Sequence, residues 1–316
     1  MVRFAATPVR VRVPATSANL GPGFDALGLA LALHDDVVAA VSGAGVRVTV
    51  SGEGAGDLAC DESHLVLRCM LTAFDLLGGR PPGLAVDCVN RIPQARGLGS
   101  SSAAIVAGIL AARALVSGGN ELMPDRAVLR LATELEGHPD NVAPCLLGGF
   151  TISWLESDTG ARAARLAPAA GVQPVIFVPE ERGLTAHARA ALPATVPHRD
   201  AARNAGRAAL LVHALTAAPD LLLPATEDRL HQDYRAPGAP ATAALVAALR
   251  AAGIPAVVSG AGPSVLAFDT PGETRAAQWL PEGWRVVVPE IDAQGARVEV
   301  DWQHAERDPV AAGRAS

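Results

Sequence analysis

The sequence predicts an α+β protein of two domains, the second with the βαββαβ order of a ferredoxin-like domain. The chain has 316 residues, which suits two domains of about 150 residues each. In its first half, strand patterns surround long helical segments, and in its second half strand and helix patterns follow the split βαβ order. We expect the domains at residues 1–170 and 171–316.

The first domain opens with a strand. Val9, Val11 and Val13 alternate with arginines up to Pro14, which is the period of a half-buried strand, and a loop is expected over 15–23. Ser63 is a candidate N-cap for a helix that ends at the glycine pair 78–79. The other predicted elements are strands within 24–41 and over 46–50 and 84–89, helices over 103–116 and 124–136, and a hairpin over 151–154 and 162–166.

The second domain is predicted from short apolar runs separated by helical segments. These elements are a strand over 175–178, helices over 185–192 and 199–215, strands over 256–259 and 264–268, a helix over 273–280 and a strand over 284–288. The helices before residue 256 form an insert in the first crossover.

Composition excludes several classes of function. The chain contains no lysine, so a phosphate-loop lysine, a lysine Schiff base and a pyridoxal phosphate anchor are excluded. Its net charge is −6 and aromatic residues make up 3%, which disfavours a nucleic-acid partner. Every apolar run is interrupted before the ~20 residues of a membrane span. We expect no nucleic acid, no membrane and a cytoplasmic location.

Residues 97–103, Gly-Leu-Gly-Ser-Ser-Ser-Ala, carry the strongest local signal for chemistry. Glycines permit a tight turn, hydroxyls can donate, and the following helix directs its unpaired N–H groups into the loop. Such a loop suits a phosphate group. Taken alone, the segment is also compatible with an ordinary N-capped helix, and it matches neither GxGxxG, GxxxxGK[ST] nor GxSxG.

Three further segments, 14–25, 136–144 and 259–264, are rich in glycine, proline and short polar side chains, a composition typical of ligand-binding loops. Together with residues 97–103, which we call the serine loop, they resemble the signature motifs of the GHMP kinases, and most closely those of the homoserine kinases in that superfamily. The similar segments are PATSANLGPGFDALGLAL (14–31), ARGLGSSSA (95–103), EGHPDNVAPCLLGG (136–149) and SGAGPSVLAF (259–268).

The resemblance implies the two-domain GHMP kinase fold, with an N-terminal domain like domain 2 of ribosomal protein S5 and a ferredoxin-like C-terminal domain. It implies ATP, with the phosphates bound by Pro93, Gln94, Ala95, Arg96, Gly97, Leu98, Gly99, Ser100, Ser101, Ser102 and Ala103, and by Gly260 and Gly262 of the segment 259–264, which we call the late loop. The family more often has serine at the position of Ala261.

The resemblance also implies Mg²⁺, held by Ser101 and one carboxylate. Mg²⁺ prefers oxygen ligands and keeps several waters, so one hydroxyl, one carboxylate and the phosphates suffice. Glu134, seven residues before Asn141, is the preferred carboxylate and Glu136 the alternative. The two lie about 200° apart around a helix, so both cannot face one metal.

The implied substrate is L-homoserine, whose carboxylate, ammonium and hydroxyl each need a partner. The arginines that match the family's substrate site are Arg189 and Arg235, and a guanidinium can bond both oxygens of a carboxylate. Thr185 lies one helical turn before Arg189. Asp25 is the expected partner of the ammonium group, while Asn19 and Asn141 would orient the substrate and its hydroxyl.

The predicted catalytic residues are Asn141, Arg189, Ser101 and Glu134. Asn141 stands where related kinases carry an aspartate and cannot accept a proton, and the side chain of Asp140 is expected to point elsewhere. Our hypothesis is that no general base exists and that positioning and charge neutralisation supply the rate. For His138 we predict a hydrogen bond that stabilises its loop.

Two alternatives stay open. One is a kinase of the same superfamily that acts on mevalonate or another small alcohol, although mevalonate has no ammonium group for Asp25. The other is a nucleotide- or amino-acid-binding module without catalysis, against which Ser101 and Glu134 argue. The resemblance is compatible with a homodimer. The implied reaction is the step that commits carbon to threonine.

Overall fold

The structure is a computed structural model; it describes residues 2–183, 185–273 and 275–300, and residues 185 and 186 only by their backbone. Its larger sheet has the strand order β11-β1-β2-β4-β3, and β5 pairs with β2 and β6. Its seven strands are β1 (Val9–Ala18), β2 (Leu27–Ser42), β3 (Gly45–Gly52), β4 (Gly83–Asn90), β5 (Phe150–Glu156), β6 (Gly160–Leu166) and β11 (Arg297–Val300).

The helices of the first half pack on this sheet. They are α1 (Leu65–Leu76), α2 (Ser100–Leu115), α3 (Gly119–Leu122), α4 (Asp125–Glu136) and α5 (Pro139–Leu147). Helix α2 contacts the sheet as well as α1, α4 and α5, and most of its residues are buried. Its alanines and Gly108 allow this, because small side chains let neighbouring backbones approach closely. The N-terminus of α2 is therefore held in a fixed place.

The second sheet has the order β10-β7-β9-β8, with all neighbours antiparallel. The arrangement confirms the predicted α+β fold with a βαββαβ second half. Its strands are β7 (Gln173–Pro179), β8 (Ala256–Val258), β9 (Val265–Asp269) and β10 (Trp284–Val287); the helices are α6 (Thr185–Ala190), α7 (His198–Thr216), α8 (Leu222–Ala225), α9 (Gln232–Arg235) and α10 (Pro240–Ala251), with 3-10 turns at Pro219–Leu221, Ala236–Gly238 and Ala276–Trp279.

The chain returns to the larger sheet after β10. Strand β11 pairs antiparallel with β1, and Ile291 forms a bridge with Leu31. Asp292 accepts a hydrogen bond from the imidazole of His34 at 2.5 Å. The division at residue 170 stays a prediction, and this returning segment belongs to the larger sheet.

Several segments differ from the sequence prediction. Strand β1 continues past Pro14 to Ala18, because a bulge between Pro14 and Ala15 accommodates the missing N–H of proline. The segment 136–144 is expected as a loop, but most of it belongs to α5, since Pro139 occupies the first turn of that helix, where its missing N–H is harmless. Helix α10 was not predicted, and the helix predicted over 273–280 is only the turn Ala276–Trp279.

Among the helices of the described residues, none combines the length and the apolar character needed to cross a membrane.

Candidate active site

A cavity of about 240 Å³ lies where the four motifs meet. Its lining comes from the β1–β2 loop, the serine loop, the start of α5, α6, α9 and the late loop. The lining residues are Asn19, Asp25, Ala95, Arg96, Gly97, Leu98, Gly99, Ser100, Ser101, Glu136, His138, Asp140, Asn141, Gly183, Arg189, Arg235, Gly260 and Ala261. Eight of the predicted ATP-binding residues and five of the six predicted substrate residues line this one cavity; the sixth is Thr185, whose side chain lies outside the described residues.

The serine loop presents backbone N–H groups to the cavity. Gly97 and Gly99 have φ angles of 71° and 69°, and Gly99 is the N-cap of α2 without a side-chain cap. The first N–H groups of a helix lack intrahelical acceptors and lie at the positive end of its dipole. The loop is thus suited to an anion with several oxygens.

The late loop supports the serine loop from behind. The Ser259 hydroxyl donates to the carbonyl oxygen of Gly97 at 2.7 Å and lies 2.8 Å from the Ser17 hydroxyl. A Cβ at Gly97 would overlap the carbonyl oxygen of Ser259, so only glycine permits this approach. Arg96 donates to the carbonyl oxygens of Gln94, Pro179 and Glu180. Its guanidinium therefore anchors the loop to the second sheet.

The remaining predicted ATP-binding residues lie around this loop. Gly262 lies outside the cavity lining and its backbone packs against Gly97. Gln94 and Ala103 line a neighbouring cavity, and Pro93 and Ser102 line neither.

Glu136, and not Glu134, faces the serine hydroxyls. Its two carboxylate oxygens accept hydrogen bonds from Ser101 at 2.8 Å and Ser102 at 2.9 Å. The side chain of Glu134 is 63% exposed and lies 3.7 Å from Arg130 on the outer face of α4. The placement favours Glu136, our alternative, over Glu134 as the carboxylate beside Ser101, because Glu136 is the last residue of α4, where the chain turns toward the cavity.

Opposite charges meet on the other side of the cavity. Arg189 donates two hydrogen bonds to the carboxylate of Asp25, at 3.0 and 2.8 Å, and this pairing raises the pKa of Arg189. Asn19 connects Asp25 to the late loop, because its Oδ1 accepts from the Asp25 N–H while its Nδ2 donates to the Gly260 carbonyl. Asn19 and Asp25 both have positive φ, which is strained outside glycine and typical of functional loops.

Comparison with known proteins assigns the family. The model of the GHMP kinases N terminal domain matches residues 64–149. The chain is 62% identical over 296 residues to homoserine kinase of Streptomyces avermitilis. This match covers 93% of the present chain and 97% of the Streptomyces protein. The chain belongs to the homoserine kinase family. Our predicted family is thus confirmed, and with it an ATP-dependent phosphotransferase.

Solved structures agree on the fold. The crystal structure of homoserine kinase from Cytophaga hutchinsonii matches with a TM-score of 0.78 at 29% identity, over 93% of this chain and 98% of that one. Mevalonate diphosphate decarboxylase from Enterococcus faecalis matches with a TM-score of 0.66 at 14% identity, over 94% of this chain and 100% of that one. The second match shows the shared fold alone.

In this homoserine kinase family member, a histidine without a predicted role supports Arg235. His231 is fully buried; its Nε2 donates to the Gly21 carbonyl at 2.8 Å, so its Nδ1 is free to accept from Arg235 at 3.1 Å. Burial lowers the pKa of His231, which keeps the ring neutral. Phe24 stacks on the His231 ring, with the ring centroids 5.1 Å apart, and the guanidinium groups of Arg189 and Arg235 lie over the Phe24 ring. The spacing of four residues between His231 and Arg235 was the one available sequence signal.

The start of α5 brings three polar side chains together. The Thr16 hydroxyl donates to Asn141 Oδ1 at 2.8 Å. His138 Nδ1 and Asp140 Oδ1 form the hydrogen bond predicted for His138, at 2.6 Å, and this bond raises the pKa of His138. Asp140 lines the cavity, contrary to our expectation, but this bond occupies one of its oxygens.

The neighbouring cavity, of about 360 Å³, shares Ala95, Ser100 and Ser101 with the first. Most of its wall is apolar, and Asp35 and His64 are its buried polar side chains. His64 Nδ1 is buried and has no hydrogen-bond partner among the described residues. Burial raises the pKa of Asp35 to about 6, although its carboxylate accepts from the N–H groups of Arg91 and Ile92. No signal in the sequence pointed to His64.

Proposed function

We propose that this chain transfers the γ-phosphoryl group of ATP to the hydroxyl of L-homoserine in the 240 Å³ cavity, with Mg²⁺ as cofactor. We call the serine loop, the late loop and Glu136 the donor side. The acceptor side consists of Asn19, Asp25, Asn141, Arg189 and Arg235. One observation carries the proposal: a helix N-terminus suited to an anion and a pair of opposite charges line the same small cavity.

On the donor side, the phosphates would accept hydrogen bonds from the N–H groups of residues 100–102. The chain has no lysine to neutralise them. Arg96 is engaged with three carbonyl oxygens, so it cannot substitute for a lysine. Backbone N–H groups, a divalent cation and the arginines of the acceptor side would therefore carry the neutralisation.

Ser101 and Glu136 fit Mg²⁺. They offer a hydroxyl and a carboxylate oxygen within 2.8 Å of each other at the edge of the cavity, and hard cations prefer such oxygens. No group of three or more His, Cys, Asp or Glu in the described part of the chain could hold a metal, which suits a cation that takes its other ligands from phosphate and water. Bound there, Mg²⁺ would neutralise charge on the β- and γ-phosphates.

The nucleobase would occupy the neighbouring cavity. That cavity begins at Ser100 and Ser101, so a nucleotide whose phosphates lie on the serine loop can reach it. Its apolar wall suits a flat ring. The unpartnered Nδ1 of His64 is the buried polar atom best suited to a hydrogen bond with the base.

On the acceptor side, Asp25 and Arg189 bond to each other. Homoserine would break this pair and bond to both side chains. Its ammonium group would bind the carboxylate of Asp25, and its carboxylate the guanidinium groups of Arg189 and Arg235. We retain Thr185 as a substrate residue from its position one turn before Arg189. Because the site offers a carboxylate as well as guanidinium groups, it distinguishes an amino acid from an alcohol without an ammonium group.

We retain the hypothesis that no side chain acts as general base. The acceptor hydroxyl would lie at Asn141, which cannot accept a proton, and His138 holds Asp140. The loose transition state of phosphoryl transfer requires little early proton transfer. Asp140→Asn should therefore lower the chemical step by less than about tenfold. A single-turnover measurement that shows a loss of several powers of ten with substrate binding intact would refute the hypothesis.

The test of the proposed function is coupled ADP release by the purified protein with L-homoserine, mevalonate, galactose and L-serine. We expect release with L-homoserine alone and a phosphorylated product, identified by mass spectrometry, that depends on added Mg²⁺. Reactions without an alcohol correct for ATP hydrolysis. Turnover of mevalonate with homoserine ignored would overturn the substrate, and ATP binding without ADP release from any alcohol would indicate a non-catalytic binding module.

A further inference from the structure

Thr16 lies between the donor and acceptor sides without lining either cavity. It belongs to β1 and is fully buried. Its N–H donates to the carbonyl oxygen of Leu98 at 3.0 Å, and its hydroxyl donates to Asn141 Oδ1 at 2.8 Å. A Cβ at Gly99 would overlap the Thr16 hydroxyl. One buried residue thus supports both the serine loop and the amide of Asn141.

The hydrogen bond to Thr16 determines which end of the Asn141 amide faces the cavity. An asparagine amide accepts through Oδ1 and donates through Nδ2. Among the described residues, Asn141 Oδ1 is the only hydrogen-bond partner of the Thr16 hydroxyl. A reversed amide would donate to that hydroxyl and leave its buried proton without an acceptor, which is unfavourable. The Nδ2 group of Asn141 is therefore the end available to a ligand.

We propose that Thr16 is a positioning residue for phosphoryl transfer, because it holds Asn141 with its N–H donor toward the acceptor hydroxyl. The inference rests on the proposed function. The hydroxyl oxygen would accept a hydrogen bond from Asn141 Nδ2 and keep a lone pair for the γ-phosphorus. As the new O–P bond forms, the bond from that phosphorus to the bridging oxygen breaks, its electron pair leaves with ADP, and the hydroxyl proton passes to an oxygen of the transferred group.

The same residue fixes the relation between the two reacting groups. The Thr16 N–H donates to Leu98 of the serine loop, and the Thr16 hydroxyl donates to the amide of Asn141. The nitrogen and the hydroxyl oxygen of Thr16 are three bonds apart. Displacement of reacting groups by about 1 Å can lower a rate by a factor of about 10². Loss of the hydroxyl should therefore reduce kcat more than it weakens the binding of either substrate.

The test compares Thr16→Val, which removes the hydroxyl but keeps the shape, with Thr16→Ser, which keeps the hydroxyl. We expect kcat to fall about 10- to 100-fold in Thr16→Val while KM for ATP changes less than about threefold. In Thr16→Ser, kcat should recover to within about threefold of the wild-type value. Equal losses of kcat in both variants, or no loss in Thr16→Val, would overturn the inference.

A double-mutant cycle with Asn141→Ala tests whether Thr16 acts through Asn141. Thr16→Val should have no further effect on kcat in the Asn141→Ala background; losses that multiply would contradict the proposed route. Should Thr16→Val not fold, Thr16→Cys replaces it, since a thiol is a weak donor of similar size. Its kcat must then lie below that of Thr16→Ser, and equal values would overturn the inference.

The wild-type protein separates this inference from the proposed function. Absence of homoserine phosphorylation by the wild type defeats both. Homoserine phosphorylation by the wild type together with an unchanged kcat in Thr16→Val defeats only the role of Thr16.

Discussion

The donor and acceptor sides of the cavity are built from different materials. The donor side is mostly backbone: the N-terminus of α2, with the serine loop packed on the late loop through Gly97. The acceptor side consists of polar and charged side chains from the β1–β2 loop, α5, α6 and α9, among which Asp25 and Arg189 form an ion pair. A backbone site keeps its shape when it is empty, whereas charged side chains must exchange partners when a ligand enters.

The energetics of the Asp25–Arg189 pair suit such an exchange. The two side chains are 36% and 46% exposed, and ion pairs at that exposure contribute about 0–1 kcal/mol. Breaking the pair therefore costs little. A zwitterion that offers a carboxylate to Arg189 and an ammonium group to Asp25 restores both interactions in a less hydrated cavity, where they are stronger.

The largest effect should come from the carboxylate of the donor side. Glu136→Gln removes the charge that would hold Mg²⁺ with Ser101, and we expect kcat to fall about 10²- to 10³-fold, the size typical for loss of one electrostatic contact to a transition state. Glu134→Gln, on the exposed face of the same helix, is the matched control and should stay within about twofold. The measurement is steady-state kinetics across a Mg²⁺ titration.

The reverse result would break the comparison. If Glu134→Gln lost activity and Glu136→Gln kept it, the hydrogen bonds from Ser101 and Ser102 to Glu136 would be structural only. The donor side would then need another carboxylate for the metal.

A smaller effect, confined to one substrate, should come from Arg189→Met. Loss of a charge-assisted contact of about 1.5–3 kcal/mol should raise KM for homoserine roughly 10- to 100-fold, while KM for ATP stays within about threefold. Arg182→Met is the control, because Arg182 lies seven residues earlier and pairs with Asp57 instead. A rise in KM for ATP in place of homoserine would mean that Arg189 serves the donor side.

The two sides also differ in how far the sequence can predict them. The serine loop is contiguous, so its glycines and hydroxyls indicate a phosphate site from the local pattern of residues. The preference for Glu134 depended on counting residues along the chain, whereas the end of α4 places the carboxylate of Glu136 beside the serine hydroxyls. Thr16 and Asn141 are 125 residues apart. Their contact depends on how α5 packs against β1, which no local pattern encodes.

The fold shows the same limit. Periodicity predicts most strands of both sheets, because alternation reports one buried face. It misses α5, where Pro139 begins a helix in a segment whose composition is typical of a loop. It also misses β11, whose place beside β1 depends on a return of the chain over long sequence distance.

The last effect we predict concerns stability and not catalysis, just before residues 93–103. Asp35 holds the N–H groups of Arg91 and Ile92, just before residues 93–103, and burial raises its pKa from 3.8 to about 6. A carboxyl that binds its proton more tightly in the folded state makes the fold less stable as pH rises from about 4 to about 6. For this pKa difference the loss is roughly 3 kcal/mol.

Asp35→Asn keeps an oxygen for the two N–H groups and removes the charge. The free energy of unfolding from urea titrations should favour the variant over the wild type by roughly 2–3 kcal/mol more at about pH 7.5 than at about pH 4. Groups with lowered pKa, such as Asp292, lose their stabilisation as pH falls in both proteins and cancel in the difference. Asp158→Asn, which removes one carboxyl from an exposed turn, is the matched control variant. An equal difference at both pH values would mean that Asp35 is ionised in the folded protein at little cost. The segment that leads into the donor side would then be held by a charged carboxylate.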